Sequence, residues 1–89
     1  MQWHKSNNVL ASLRSSARWQ NLRSTVLTQQ DGLCKLCGGL ASEVHHIELA
    51  TPDNFFRLEN LVGLCCECHQ KVHTAYRAGI TWELLNGRG

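Results

Sequence analysis

The sequence predicts a small α+β domain that relies on a staple as well as a core. Three observations carry that expectation. The chain has 89 residues, room for one domain, and a domain of that size buries a modest core that metals or disulfides often reinforce. Five cysteines and five histidines supply candidates for such a staple. The apolar spacing is helical near the N-terminus, alternating in the middle and helical again near the end.

Residues 1–14 carry no clear punctuation and are read as an N-terminal arm, flexible in part, with the domain proper spanning 15–89. Leu10, Leu13 and Ala17 could extend a helix backwards from that boundary. Ser15 or Ser16 suits an N-cap. After it Trp19, Leu22, Val26 and Leu27 form one apolar stripe, which predicts a helix over about 16–30, stopped by Gly32. Residues 33–39 form a knuckle turn with two glycines for unusual backbone angles. Residues 43–49 alternate as a strand, with Val44, His46 and Glu48 on one face and His45, Ile47 and Leu49 on the other. Residues 50–59 hold the only proline and read as a loop, 60–64 as a second strand. A helix should run from Cys65 or Cys66 to about Ala78, ended by Gly79, with a short turn around Trp82 and Leu85.

Cys34 and Cys37, and again Cys65 and Cys68, are each separated by two residues. That spacing lets both sulfurs of a knuckle reach one ion, and zinc takes four thiolates in a tetrahedron. The pairs therefore predict a structural Zn²⁺ on Cys34, Cys37, Cys65 and Cys68, with Cys66 left over. A finger built on Cys34, Cys37, His69 and His73 would have 31 residues between its halves, where that fold uses about 12. Cys65-Cys66-Glu67-Cys68-His69 also matches the haem-attachment spacing, and either pair could be a redox couple. The second pair and the lack of an export signal argue against haem attachment, and structural zinc is favoured over a redox couple. Disulfides fit poorly with an odd cysteine count and a polar N-terminus. The expectation is a soluble, reduced, cytoplasmic protein without a membrane span.

Charge is unevenly spread. Residues 1–30 carry Lys5, Arg14, Arg18 and Arg23 and no acid, a net +4; residues 31–70 sum to −4 and residues 71–89 to +2. Basic arms of this kind suit a phosphate backbone. A closed four-thiolate site has no open position and does not catalyse, so any chemistry must come from elsewhere. The 27 residues between Cys37 and Cys65 exceed the roughly 15–20 of an ordinary zinc ribbon. They contain His45, His46 and Asn60, and His69 and His73 follow. His69 and His73 are i and i+4 on a helix and share a face. His45 and His46 must point to opposite faces of their strand, so one can ligate an ion while the other does something else.

Taken together, Trp19-Gln20-Asn21-Leu22-Arg23, Val26-Leu27, Cys34-Lys35-Leu36-Cys37, Val44-His45-His46-Ile47, Asn60-Leu61 and Leu64-Cys65-Cys66-Glu67-Cys68-His69 resemble the HNH endonucleases. The likeness is to the small phage-type members with a zinc-binding cysteine pair on each side, and covers about residues 15–75. It implies a ββα-metal (His-Me finger) core with an N-terminal helix. It also implies roles: His45 and His69 as ligands of a catalytic divalent ion, His73 as the additional ligand of the colicin-type branch, His46 as general base, and Asn60 as the residue that fixes the loop and orients His46. The family usually has Asp where this chain has His45, and often has glycines in the loop before Asn60. Imidazole suits zinc, nickel and cobalt-like ions better than magnesium; the candidate ions are Mg²⁺, Mn²⁺, Ni²⁺ and Zn²⁺.

The implied activity is metal-dependent hydrolysis of DNA, nicking or double-strand cleavage of low intrinsic sequence specificity, in a bacterial host or phage-infected cell. Arg14, Arg18, Arg23 and Lys71 are the expected phosphate contacts. Phage packaging or other targeting proteins are the partners the resemblance implies. The competing reading is a non-catalytic zinc module that binds nucleic acid or protein.

Overall fold

The computed structural model describes residues 9–86; residues 1–8 and 87–89, with Lys5 and Arg88 of the basic arms and most of the expected N-terminal arm, lie outside them. Residues 9–14 form a first helix, α1. There follow α2 (Ala17–Gln29), strand β1 (Glu43–His46), a 3₁₀ turn (Leu58–Asn60), strand β2 (Leu61–Leu64), α3 (Cys66–Arg77) and the short α4 (Trp82–Leu85).

Two serines separate α1 from α2. The Ser15 hydroxyl donates to Ala11 O at 2.9 Å and the Ser16 hydroxyl to Leu13 O at 2.7 Å. Ser16 Oγ also accepts from Trp19 N at 3.1 Å, so one side chain closes the first helix and caps the second. At the far end of α2 the left-handed residue is Asp31 (φ 56°), one position before the predicted stop, and Gly32 follows at φ 73°. Gly32 N donates to Leu27 O (2.8 Å) and Asp31 N to Thr28 O (3.0 Å), which satisfies two of the last carbonyls of the helix.

The strands pair antiparallel, with Glu43 opposite Leu64, Val44 opposite Gly63, His45 opposite Val62 and His46 opposite Leu61. Their alternation divides the core in two. Val44 and Leu61 pack with Trp19, Val26 and Phe55 on the α2 side, joined by Leu10 and Leu13 of α1. Val62 and Leu64 pack with Cys34, Cys68 and Val72 on the α3 side. Gly63 lies beneath α2, where a Cβ would come within 2.9 Å of Leu27 Cδ2, so a larger residue would require the Leu27 side chain to shift. The free backbone edge of Gly63 is closed by Gln30, whose Oε1 accepts from Gly63 N at 2.7 Å while Nε2 donates to Gly63 O at 3.0 Å.

β1 is shorter than the alternation of 43–49 predicts. Ile47 N still donates to Asn60 O at 2.8 Å, but the next donor, Glu48 N, is taken by the Asn60 side chain (Oδ1, 2.8 Å) instead of backbone. The ladder ends there because the opposing chain has turned into the 3₁₀ segment.

Candidate metal centres

The cysteine knuckle is a small closed loop. Leu33 and Leu40 form an isolated bridge, Cys34 N donates to Gly39 O at 2.6 Å, and Gly38 adopts φ 79°. Lys35 N donates to Gly63 O at 3.1 Å, which pins the knuckle to β2. β2 in turn delivers Cys65 as the N-cap of α3, with Cys68 one turn on. Cys34, Cys37, Cys65 and Cys68 thereby bring their sulfurs within 4.8 Å of one another. Cys37 Sγ and Cys65 Sγ are 3.7 Å apart; sulfurs about 2.3 Å from a tetrahedral zinc stand about 3.8 Å apart. Gly39 N and Cys68 N donate to Cys37 Sγ and Cys65 Sγ, both at 3.4 Å, which fixes the two sulfurs in place. The donor set fits zinc.

Burial pushes the Cys68 thiol up to about 12. Burial acts the same way on Cys34, but hydrogen bonds from the Cys37, Cys65 and Leu36 backbone outweigh it and hold that thiol down at about 6. Cys66 stands apart, exposed and outside the sulfur cluster; the neighbouring Glu43 carboxylate is the first cause of its raised pKa.

The histidines form a second group. His45, His69 and His73 each place a ring nitrogen within 4.8 Å of the others. His69 Nε2 and His73 Nε2 are 3.2 Å apart, and two nitrogens bound at about 2.1 Å to one ion stand about 3.0–3.4 Å apart. The ring of His45 is buried (5% exposed) and lies edge-on to both, at centroid distances of 5.1 and 5.6 Å. Burial, reinforced by the positive potential of His69, His73 and His46, lowers its pKa to about 4, so it stays neutral and able to ligate.

His46 leaves the opposite face of β1, as the strand alternation requires. It stacks on Trp19 (centroids 5.1 Å apart, planes 11° apart), and its Nε2 donates to Phe55 O at 3.0 Å. A carbonyl only accepts, so Nε2 carries the proton and Nδ1 keeps a free lone pair. Burial depresses its pKa and Arg14 adds to this, against the Phe55 carbonyl, which raises it. The two faces meet because, among the described residues, β1 has no strand neighbour on its outer edge. An open cleft of about 500 Å³ runs along that edge and is lined by His45, His46, His69 and His73, with Arg14 and Arg23 at its sides.

A solved structure with the same architecture is the crystal structure of the deep-sea thermophilic bacteriophage GVE2 HNH endonuclease with manganese ion. It matches with a TM-score of 0.79 and 26% identity over 85% of this chain and 90% of that chain. The chain has the HNH endonuclease fold. Its ββα unit is β1, β2 and α3, and the four-cysteine cluster fits the zinc-binding HNH type. No family model and no curated protein matches the chain.

Within the HNH fold, Asn60 is buried and its side chain clamps the Glu48 backbone from both sides, with Nδ2 donating to Glu48 O at 3.3 Å. It holds the loop after β1 and has no direct hydrogen bond to His46. Arg18 sits over the Phe56 ring, its guanidinium carbon 4.1 Å from the centroid. Arg23 donates to Ser42 O at 3.3 Å. Lys71 is not brought to this cleft; it lies on another face of α3 with Glu67, Gln70 and Thr74. Glu43 was not singled out by its sequence context, yet its carboxylate accepts from His69 Nδ1. Its register signals this, because Glu43 is two residues before His45 on the same strand face. Tyr76 was also missed; its hydroxyl donates to Ile47 O at 3.0 Å, 3.5 Å from His45 Nε2.

Proposed function

We propose that this chain is a metal-dependent DNA endonuclease that hydrolyses phosphodiester bonds. One observation supports it above all. Three imidazoles converge at one point, and a fourth, His46, opens into the same cleft with a carbonyl-fixed tautomer.

In this reading His45, His69 and His73 hold one divalent ion, and Cys34, Cys37, Cys65 and Cys68 hold a structural Zn²⁺. The catalytic ion, when bound, supplies charge stabilisation at the scissile phosphate and at the leaving oxygen. His46 takes the proton from the attacking water through Nδ1, with the Phe55 carbonyl holding the protonated Nε2 side away. Asn60 keeps the loop after β1 in place. Arg14 and Arg23, and more peripherally Arg18, meet the phosphate backbone along the cleft. The three-imidazole donor set favours Ni²⁺ or Zn²⁺ over Mg²⁺. Sequence targeting then comes from a partner or from DNA shape, and phage DNA processing or packaging is the setting proposed by likeness to a phage endonuclease.

The test is plasmid nicking in Mg²⁺, Mn²⁺, Ni²⁺ and Zn²⁺ with wild type and His46→Ala. The substitution should lower cleavage by about 10²–10⁴-fold while zinc content and helix content persist. A wild type that nicks in none of the four ions sinks the nuclease reading.

A further inference from the structure

We propose that Glu43 is a positioning residue that sets the tautomer and aim of the His69 ligand; this rests on the three-imidazole ion site proposed above. Glu43 and His69 are 26 residues apart in sequence and belong to different elements, β1 and α3. The carboxylate accepts from His69 Nδ1. That fixes the ring proton on Nδ1 and leaves the Nε2 lone pair free. Nε2 is the atom 3.2 Å from His73 Nε2, on the side where the ligand nitrogens meet. The carboxylate also places a negative charge behind a ligand, which favours a cation.

The arrangement does not serve the core. Glu43 and His69 are both partly exposed, with side chains 39% and 24% accessible, so a surface ion pair here contributes little to folding. Its consequence lies in the ion site. His45 faces the same point from a buried position on β1, whereas His69 lies nearer the surface, where its ring could turn. Glu43 removes that freedom. Without it, His69 would spend part of its time with the proton on Nε2, unable to ligate.

Protein loaded with Zn²⁺ at the cysteine site is titrated with Mn²⁺, and free Mn²⁺ is followed by electron paramagnetic resonance. Glu43→Ala should weaken Mn²⁺ binding by about 10–100-fold, with zinc content and melting temperature unchanged. Glu43→Gln, which keeps an acceptor oxygen but no charge, should show a smaller loss. Saturating Mn²⁺ should restore most of the nicking activity of Glu43→Ala. Long-range ¹⁵N spectra of the Mn²⁺-free protein should show His69 as the Nδ1–H tautomer in wild type and as a mixture in Glu43→Ala. Should alanine disturb the strand, Glu43→Leu keeps the bulk without an acceptor and must show the same loss. Wild-type Mn²⁺ affinity in an acceptor-less variant overturns the proposal. His69→Ala separates the two levels: if it too binds Mn²⁺ like wild type, the three-imidazole site itself is wrong; if it alone loses Mn²⁺, only the role of Glu43 falls.

Discussion

Among the described residues, two clusters of side chains able to ligate metal are anchored on the first two turns of α3, and they differ in donor number and setting. The sulfur cluster is built from a knuckle and a helix cap, all backbone-pinned, with Cys34 and Cys68 buried. It offers four like donors, enough to complete a tetrahedron, although Cys37 is exposed. The imidazole cluster has three donors and faces a cleft with two arginines at its edge. Four donors complete a tetrahedron, whereas three leave room for substrate or water. The same helix therefore carries a centre suited to holding the fold beside one suited to chemistry. Because Cys68 and His69 are adjacent, seating α3 on the sulfur cluster also sets where His69 and His73 stand.

The largest effect that tests this division is on the sulfur side. Zinc affinities of structural sites are on the order of 10–16 kcal/mol, comparable to or above the whole stability of a small domain, about 5–15 kcal/mol. Cys68→Ser, or strong chelation, should therefore unfold the domain, read as lost helical circular dichroism. A chelated protein that keeps its helix content and melting point would erase the distinction between the two clusters.

A second test is acidity. His46 is held below the ordinary histidine value, first by burial. A lowered pKa means the neutral, proton-accepting form persists as pH falls through the usual range near 6.5. His45, depressed to about 4, likewise resists protonation that would expel an ion. The acid limb of kcat/KM for DNA cleavage should thus lie below pH 6.5, with activity lost under it and retained above it. A limb above pH 6.5 would contradict the proposed role of the half-buried, carbonyl-anchored His46.

The smallest effect concerns the cleft edge. Arg14→Ala and Arg23→Ala should each reduce the slope of log affinity against log salt by about 0.9 if each meets one phosphate. Lys71→Ala should leave the slope unchanged, because Lys71 faces away on α3. An effect of Lys71 equal to that of Arg14 would move the DNA to a different face.

Much of this was legible before any coordinates. Cysteine spacing grouped the four sulfurs, i and i+4 spacing grouped His69 with His73, and strand alternation separated His45 from His46. What stayed hidden involved side chains meeting backbone or partners far away in sequence. Gln30 closing the Gly63 edge, Asn60 replacing a rung of the ladder and Glu43 reaching His69 are all pairings across elements. No local period encodes them.

The sequence by itself determined the ligand types, their order and which residues share a face, because periodicity and ligand spacing are properties of neighbouring residues. Only the tertiary structure decided that opposite faces of β1 open into one cleft, since that depends on β1 having no further strand on its outer edge among the described residues. It also decided that Lys71 stands outside the cleft and Glu43 stands behind His69. Both depend on how α3 is rotated against the sheet, which is set by packing of Val72 and Cys68 against Val62 and Leu64.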